Sequence, residues 1–178
     1  MSIQTLTLGG GCFWCVEALY QNLKGVISVV SGYAGGSAEQ ANYRDVCSGT
    51  TGHAEVIRIE YDDSEISIEI LLDVFFHLHD PTTLNRQGAD SGTQYRSAIF
   101  FLSPEQKASA EQVIQQIESE KLWRDPVVTT LEPLTEFFPA EEYHQNYYQQ
   151  NSYQPYCQGV ISPKIKKLKE RYASLLTS

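Results

Sequence analysis

The chain has 178 residues, of which 42% are hydrophobic, so it is long enough to bury the core of one domain without disulfide bonds. Its 13 Lys and Arg residues against 22 Asp and Glu residues give a formal net charge of −9. An acidic surface is repelled by nucleic acid and by anionic membranes, so we expect neither as a partner. The first residues lack the features of a signal peptide and the apolar stretches are too short for a membrane span, which favours the cytoplasm.

Apolar residues recur with period two or with helical spacing along most of the chain, which predicts strands that alternate with helices. In chain order the predicted elements are a strand at 5–8, a helix at 13–23, a strand at 26–33, a loop with one short helix at 34–52, a strand at 53–61, a helix at 66–79, a polar loop at 81–95, a strand at 97–102, a helix at 103–121, a strand at 126–132, an aromatic-rich segment at 137–148 and a helix at 163–176.

This alternation predicts an α/β fold of two layers. We expect one catalytic domain over residues 1–178, in which a long coil that carries Cys157 wraps the outside. This C-terminal coil and the last helix together cover about residues 150–178.

The stretch GGGCFWC at positions 9–15 is the most informative in the sequence. Its glycines interrupt the pattern between the first strand and the first helix, which puts Cys12 at a helix N-terminus. Unpaired backbone N–H groups and the helix dipole there favour a thiolate, which is the nucleophilic form of cysteine. We therefore predict that Cys12 is a reactive cysteine. A lone cysteine is more often a buried structural residue, and the glycine turn with the second thiol argues against that here.

Cys12 and Cys15 form a C-x-x-C pair whose spacing allows a disulfide in the first helical turn. Without a signal peptide, cysteines serve catalysis, metal binding or simple burial more often than structural disulfides. The pair also suits zinc, although the second C-x-x-C of a zinc module is missing. Mixed ligand sets with Cys47, Cys157 or His53 can be written, but we give them little weight.

The predicted strand at 53–61 has Ile57, Ile59 and Tyr61 on one face and polar residues on the other. By the same period of two, Glu55 falls on the apolar face, where a carboxyl group is poorly solvated. A surface carboxylate at the end of a strand is the ordinary interpretation of such a residue, and its position on the apolar face weakens that interpretation.

Several short motifs follow one another in the order found in one enzyme family: GCFW at 11–14, GHAE at 52–55, HDPTT at 79–83, NRQG at 85–88, DSGTQYRS at 90–97 and EYHQ at 142–145. Together they make the chain resemble the A-type peptide methionine sulfoxide reductases. Each motif alone is weak, whereas all of them in order over most of the chain are specific.

The resemblance implies reduction of methionine S-sulfoxide, free or in proteins, with thioredoxin as reductant and with no metal or organic cofactor. It implies a two-layer fold related to the ferredoxin-like split βαβ arrangement. Carried over by motif, Cys12 is the nucleophile, and Glu55, Tyr43 and Tyr95 face the sulfoxide oxygen. The residues carried over for substrate binding are Phe13 and Trp14, which shape a methyl pocket, with Asp90 and His144 as supporting neighbours.

The sequence departs from the common family pattern at Cys15, where many members have glycine, and in having Cys157 as its one C-terminal cysteine. The identity of the cysteine that reacts with the sulfenic acid is therefore undecided. We predict Cys157, which follows a mobile coil at 152–156. Cys15 is the alternative, either as the resolving cysteine or as a relay that passes the disulfide to Cys157, and we expect no role for Cys47. Two other functions also remain open at this point: a thiol–disulfide oxidoreductase that uses Cys12 and Cys15 alone, and a zinc-binding module.

Overall fold

The structure is a computed structural model that describes residues 2–176. The ends of the predicted domain 1–178, which are Met1 and residues 177–178, lie outside the described residues. The strands are β1 (Ile3–Gly10), β2 (Val26–Ala34), β3 (Ala54–Asp62), β4 (Arg86–Gln87), β5 (Asp90–Ser91), β6 (Ser97–Phe101), β7 (Thr130–Pro133) and β8 (Phe137–Pro139). The helices are α1 (Phe13–Tyr20), α2 (Tyr43–Val46), α3 (Ile68–Leu78), α4 (Pro104–Ser119), α5 (Tyr147–Asn151) and α6 (Ser162–Arg171).

Six of the strands form one sheet in the order β7-β6-β1-β3-β2-β8, and β4 pairs with β5 in a separate ribbon. All pairings in the large sheet are antiparallel except that of β6 with β7. β1 is therefore a central strand, paired on both sides, and it leads directly into α1. The β1–α1 turn is held in place by the middle of the sheet rather than by an edge.

One face of the sheet carries the main core. Leu6, Leu8, Ile57, Ile59 and Ile99 pack there against residues of α1, α3, α4 and α6. A second, smaller hydrophobic cluster lies on the other face of the sheet. It consists of small and aromatic side chains, such as Val56 and Phe100. This arrangement confirms the predicted α/β fold and the apolar face of the strand at 53–61.

Local signals set the helix ends where the sequence predicts them. The Ser103 side chain accepts a hydrogen bond from the Gln106 N–H at 3.2 Å, and Pro104 occupies the first turn of α4. Ser67 caps α3 in the same way through the Ile70 N–H. Both caps satisfy N–H groups that have no partner inside the helix.

Several boundaries differ from the prediction: α1 and α6 end earlier than expected, and the loop at 81–95 contains β4 and β5. The strand predicted at 126–132 is reduced to β7, and the loop at 34–52 contains both a 3₁₀ turn, Ala38–Gln40, and α2. The largest difference is in the C-terminal region. Residues 152–154 form a turn, the chain is helical from Pro155, and Cys157 lies in a π-helical turn, Cys157–Ile161, that continues into α6. The predicted coil around Cys157 is therefore wrong, because apolar residues of this turn are buried against α1.

Candidate active site

Cys12 is the N-cap residue of α1, immediately after the glycines that end β1. Gly11 has φ +95°, a left-handed conformation that favours glycine, and a Cβ there would lie 2.7 Å from Cγ of Gln87. Cys12 has extended backbone angles, and its carbonyl accepts the Cys15 N–H at 3.1 Å. The side chain is 8% exposed. The predicted strand–glycine–helix placement of Cys12 is confirmed.

Glu55 lies beside this turn on β3 and is only 1% exposed. One of its carboxyl oxygens, Oε1, accepts the backbone N–H of Phe13 at 3.1 Å, which is one of the free N–H groups at the start of α1. Burial raises the pKa of Glu55 to about 8, and the negative charge of Asp90 adds to this effect, whereas the Phe13 N–H opposes it. Glu55 is therefore a carboxylic acid near neutral pH and can donate a proton.

Tyr43 and Tyr95 both lie near Glu55, although they come from different elements. Tyr43 begins α2, and Tyr95 ends a 3₁₀ turn, Thr93–Tyr95. Burial raises the pKa of each phenol, and the charge of Glu55 raises both further. Both side chains therefore keep their O–H protons at any physiological pH and are available as hydrogen-bond donors.

Phe13 and Trp14 belong to an aromatic wall that is completed by the C-terminal part of the chain. The Trp14 indole N–H donates to Nδ1 of His144 at 3.0 Å, and the Trp14 ring stacks on Tyr147 at 3.7 Å with an interplanar angle of 6°. Phe13 is fully buried between His144 and Tyr33, with ring centroids at 5.1 and 5.6 Å. The wall is therefore a rigid, apolar surface beside Cys12.

His144 is buried at the centre of this wall. Because an indole N–H can only donate, Nδ1 of His144 accepts, and the ring proton of the neutral form lies on Nε2. Burial lowers the pKa of His144, which favours the neutral form. Within the described residues Nε2 has no hydrogen-bond partner.

The two thiols of the C-x-x-C pair differ in their surroundings. Burial raises the pKa of Cys12, and the neighbouring Cys15 thiol raises it further. The Cys12 side chain lowers the pKa of Cys15, and the positive charge of Lys164 helps to lower it against the effect of burial. Desolvation of Cys12 therefore opposes the effect of the helix N-terminus, which favours the thiolate.

Asp90 does not stand alone at the site. Its Oδ2 accepts the Tyr156 O–H at 2.6 Å, and the Tyr156 oxygen lies 3.7 Å from the sulfur of Cys15. Tyr156 also meets Trp14 edge-on, at a centroid distance of 6.0 Å. This contact brings residues 15, 90 and 156 together next to the nucleophile.

The other two cysteines lie in opposite environments. Cys157 is 0% exposed and packs in the main core, whereas Cys47 is exposed, on the C-terminal side of α2 beside Tyr43. Across residues 2–176, no group of three or more His, Cys, Asp or Glu side chains is arranged to hold a metal ion. The helices in that range are also not long and apolar enough to cross a membrane.

The comparisons with known proteins agree on one family. The model of the family described as "Peptide methionine sulfoxide reductase" matches residues 4–175. The chain is 56% identical over 169 residues to the peptide methionine sulfoxide reductase MsrA of Chromobacterium violaceum, covering 95% of this chain and 96% of the relative. It is 51% identical over 175 residues to that of Polynucleobacter asymbioticus, covering 98% and 92%. The chain belongs to the peptide methionine sulfoxide reductase family.

Solved structures of such reductases have the same fold. The reduced form of Mxr1 from Saccharomyces cerevisiae superposes with a TM-score of 0.80 at 34% identity, covering 87% of this chain and 89% of that one. Mxr1 in complex with Trx2 superposes with a TM-score of 0.56 at 26% identity, covering 82% and 84%. The α/β architecture predicted from the sequence is thus that of solved members of the family.

The structure of this reductase brings together the site residues predicted from the sequence, and Cys157 lies in the same buried cluster as Cys12 and Cys15. Four further residues of the site were missed. They are Glu17, which holds the backbone of Tyr147, Glu141, which accepts the Tyr43 N–H at 2.9 Å, and Tyr147 and Tyr156, which contact Trp14. Of these four, the sequence could have indicated Glu17. It follows the C-x-x-C pair inside an apolar helix, where a carboxylate without a hydrogen-bond partner costs free energy.

Proposed function

We propose that this reductase uses Cys12 to attack the sulfur of methionine S-sulfoxide while Glu55 protonates the departing oxygen. The observation that supports this most strongly is the hydrogen bond between Glu55 and the Phe13 N–H, which holds a protonated carboxyl group against the turn that carries the nucleophile. General-acid assistance is needed because an unprotonated sulfoxide oxygen is a poor leaving group.

In the first step the Cys12 sulfur attacks the sulfoxide sulfur and a bond forms between them, while Glu55 protonates the oxygen and takes up the thiol proton of Cys12 in exchange. The oxygen then passes to the Cys12 sulfur: the S–O bond of the substrate and the transient S–S bond break, an S–O bond to Cys12 forms, and the products are the sulfenic acid and a thioether. The thiol loses two electrons and the sulfoxide gains two, so no external reductant is used at this stage. Tyr43 and Tyr95 donate hydrogen bonds to the oxygen as negative charge develops on it.

The aromatic wall supports a pocket for the methyl group of the substrate. Trp14 is partly exposed and presents apolar ring surface beside Cys12, backed by the buried ring of Phe13, which suits a methyl group on a polarised sulfur. The pocket fixes the direction of the methyl group, the phenols and Glu55 fix that of the oxygen, and Cys12 fixes the direction of attack. Only one configuration at the sulfoxide sulfur satisfies all three. That this configuration is S follows from the family resemblance.

The cycle closes when a second cysteine of this chain converts the sulfenic acid into an intramolecular disulfide, which thioredoxin then reduces. Support for thioredoxin comes from the solved complex of Mxr1 with Trx2. Cys157 and Cys15 are the candidates for the second cysteine. We place this cycle, which needs no organic cofactor or metal, in the cytoplasm, where thiols are kept reduced, and in one catalytic domain.

The test is an assay of racemic methionine sulfoxide with dithiothreitol as reductant. Wild type should consume half of the racemate, leaving the R epimer, and Cys12→Ser should form no methionine while keeping its melting temperature. Retained turnover by Cys12→Ser, or equal consumption of the two epimers, would contradict the mechanism. Reduction of a protein disulfide without any sulfoxide reduction would instead favour a thiol–disulfide oxidoreductase.

A further inference from the structure

We propose that Cys15, rather than Cys157, forms the first disulfide with Cys12, and that Tyr156 and Asp90 conduct the proton that Cys15 gives up. This inference rests on the proposed sulfenic acid at Cys12 and concerns the step after it. Cys15 stands where many members of the family have glycine, so the step belongs to this chain in particular.

The first argument is the position of the pair. Cys12 is the N-cap of α1 and Cys15 is the third residue of the helix, and the hydrogen bond from the Cys15 N–H to the Cys12 carbonyl at 3.1 Å closes one turn around them. Residues three apart in a helical turn are neighbours, with Cβ atoms about 5–6 Å apart, and a disulfide needs about 3.5–4.5 Å, so bridging them requires a local backbone shift within this one turn.

The second argument is the direction of the hydrogen bonds around Tyr156. Its O–H donates to the Asp90 carboxylate at 2.6 Å, so its oxygen is left as the acceptor for the Cys15 thiol at 3.7 Å. Thiol, phenol and carboxylate therefore form a chain along which a proton moves from sulfur to Asp90. Lys164 supplies a positive charge near Cys15, which favours the thiolate that remains.

The reaction balances within these groups. The Cys15 thiolate attacks the Cys12 sulfur, the S–S bond forms, and the S–OH bond of the sulfenic acid breaks. The proton that left Cys15 through Tyr156 and the leaving hydroxide together make one water. The product is a Cys12–Cys15 disulfide, which is at the same oxidation level as the sulfenic acid that formed on reduction of the substrate.

Cys157 would need a larger rearrangement to take this role. It is 0% exposed in the main core, and it begins the π-helical turn, where its carbonyl accepts the Ser162 N–H. Its neighbour Tyr156 is tied to Asp90. To reach the Cys12 sulfur, Cys157 would have to move with its own helical turn and break this tie, whereas Cys15 is already in the same turn as Cys12.

Tryptic cleavage makes the two outcomes distinguishable. Cys12 and Cys15 lie on one tryptic peptide, residues 1–24, and Cys157 lies on another, residues 125–164. A Cys12–Cys15 disulfide lowers the mass of the first peptide by the two hydrogens lost, whereas a Cys12–Cys157 disulfide joins the two peptides. The measurement is made after one equivalent of methionine sulfoxide, with the remaining thiols alkylated at successive times.

We expect the internal disulfide of peptide 1–24 to appear in wild type and in Cys157→Ala at the same rate. Tyr156→Phe keeps the ring against Trp14 but removes the hydroxyl, so it should slow disulfide formation by about tenfold or more. Tyr153→Phe is the matched control, because Tyr153 is 69% exposed in the preceding turn.

Joined peptides as the first oxidised species, or a sulfenic acid that accumulates in Cys157→Ala, would overturn the inference, as would an unchanged disulfide rate in Tyr156→Phe. Cys15→Ser gives an independent reading, since it should stall at the sulfenic acid. Absence of any methionine burst in wild type would instead count against the proposed function, so the two failures are separate.

Discussion

The β1–α1 turn and the C-terminal segment, residues 141–171, meet at the same site but are held in different ways. The turn follows a strand that is paired on both sides by backbone hydrogen bonds, to β3 and to β6. The backbone of the C-terminal segment, within the part of the chain described here, makes its backbone–backbone hydrogen bonds only to near neighbours in the sequence. Its links to the rest of the protein run through side chains.

These side-chain links are few and specific. Within the segment, Gln145 binds the backbone of Ser31, and the Tyr147 N–H donates to Glu17 at 3.3 Å. At the site, His144 binds Trp14, Tyr156 binds Asp90, and Glu141 accepts the Tyr43 N–H. A region held in this way opens locally at lower cost than a central strand. The groups of the first step, Cys12 and Glu55, therefore lie on the β1–α1 turn and the sheet, which we call the fixed side. The cysteines that thioredoxin must reach lie under the C-terminal segment, which can open.

The largest expected effect comes from Glu55 on the fixed side. Glu55→Gln keeps the acceptor for the Phe13 N–H but has no acidic proton, so methionine formation in a single turnover should slow by about 10²-fold or more. The rate is measured by rapid quench with one equivalent of sulfoxide. A rate equal to that of wild type would exclude Glu55 as the acid.

The pH dependence of the same step tests the state of Glu55. Its pKa is raised to about 8 and the protonated form is the active one, so its contribution is complete well below pH 8 and is lost as the pH rises through 8. Above that pH the single-turnover rate should fall by up to about tenfold per pH unit, relative to Glu55→Gln at the same pH. A constant ratio between the two proteins from pH 6 to 10 would contradict this assignment.

Smaller effects are expected from the two phenols, because each can partly replace the other. Tyr43→Phe and Tyr95→Phe should each slow the first step by about tenfold, and the double variant should lose about 10²-fold or more. The step to the disulfide should be unaffected, since neither hydroxyl takes part in it. If the substitutions raise KM and leave the single-turnover rate at saturation intact, the phenols bind substrate without stabilising the transition state.

The smallest effect tests the C-terminal segment itself. Glu17→Ala removes the acceptor for the Tyr147 N–H and should lower the free energy of local opening by about 1–2 kcal/mol, whereas Glu17→Gln keeps a carbonyl oxygen there and should change it less. Hydrogen exchange by mass spectrometry should then show faster exchange in residues 141–171. If the amides of β1 and β3 accelerate to the same extent, the segment does not open separately from the sheet.

The sequence by itself determined much of the fixed side. The glycine turn, the N-terminal position of Cys12 and the burial of Glu55 with Ile57 and Ile59 follow from signals that act over a few residues, namely backbone freedom, strand period and free helix N–H groups. The order of the motifs added the family. These local signals survive in the structure because the long-range contacts reinforce them.

Only the tertiary structure decided the other side of the site. Trp14 and His144 are 130 positions apart, and Tyr156 and Asp90 are 66 apart, so no local pattern encodes either contact. The coil expected around Cys157 is a helix, because its apolar side chains find a surface on α1 that the sequence does not display. The effect of burial on the pKa of Cys12 was also not predictable, since the dipole of its own helix is a local property, whereas desolvation depends on everything packed around the thiol.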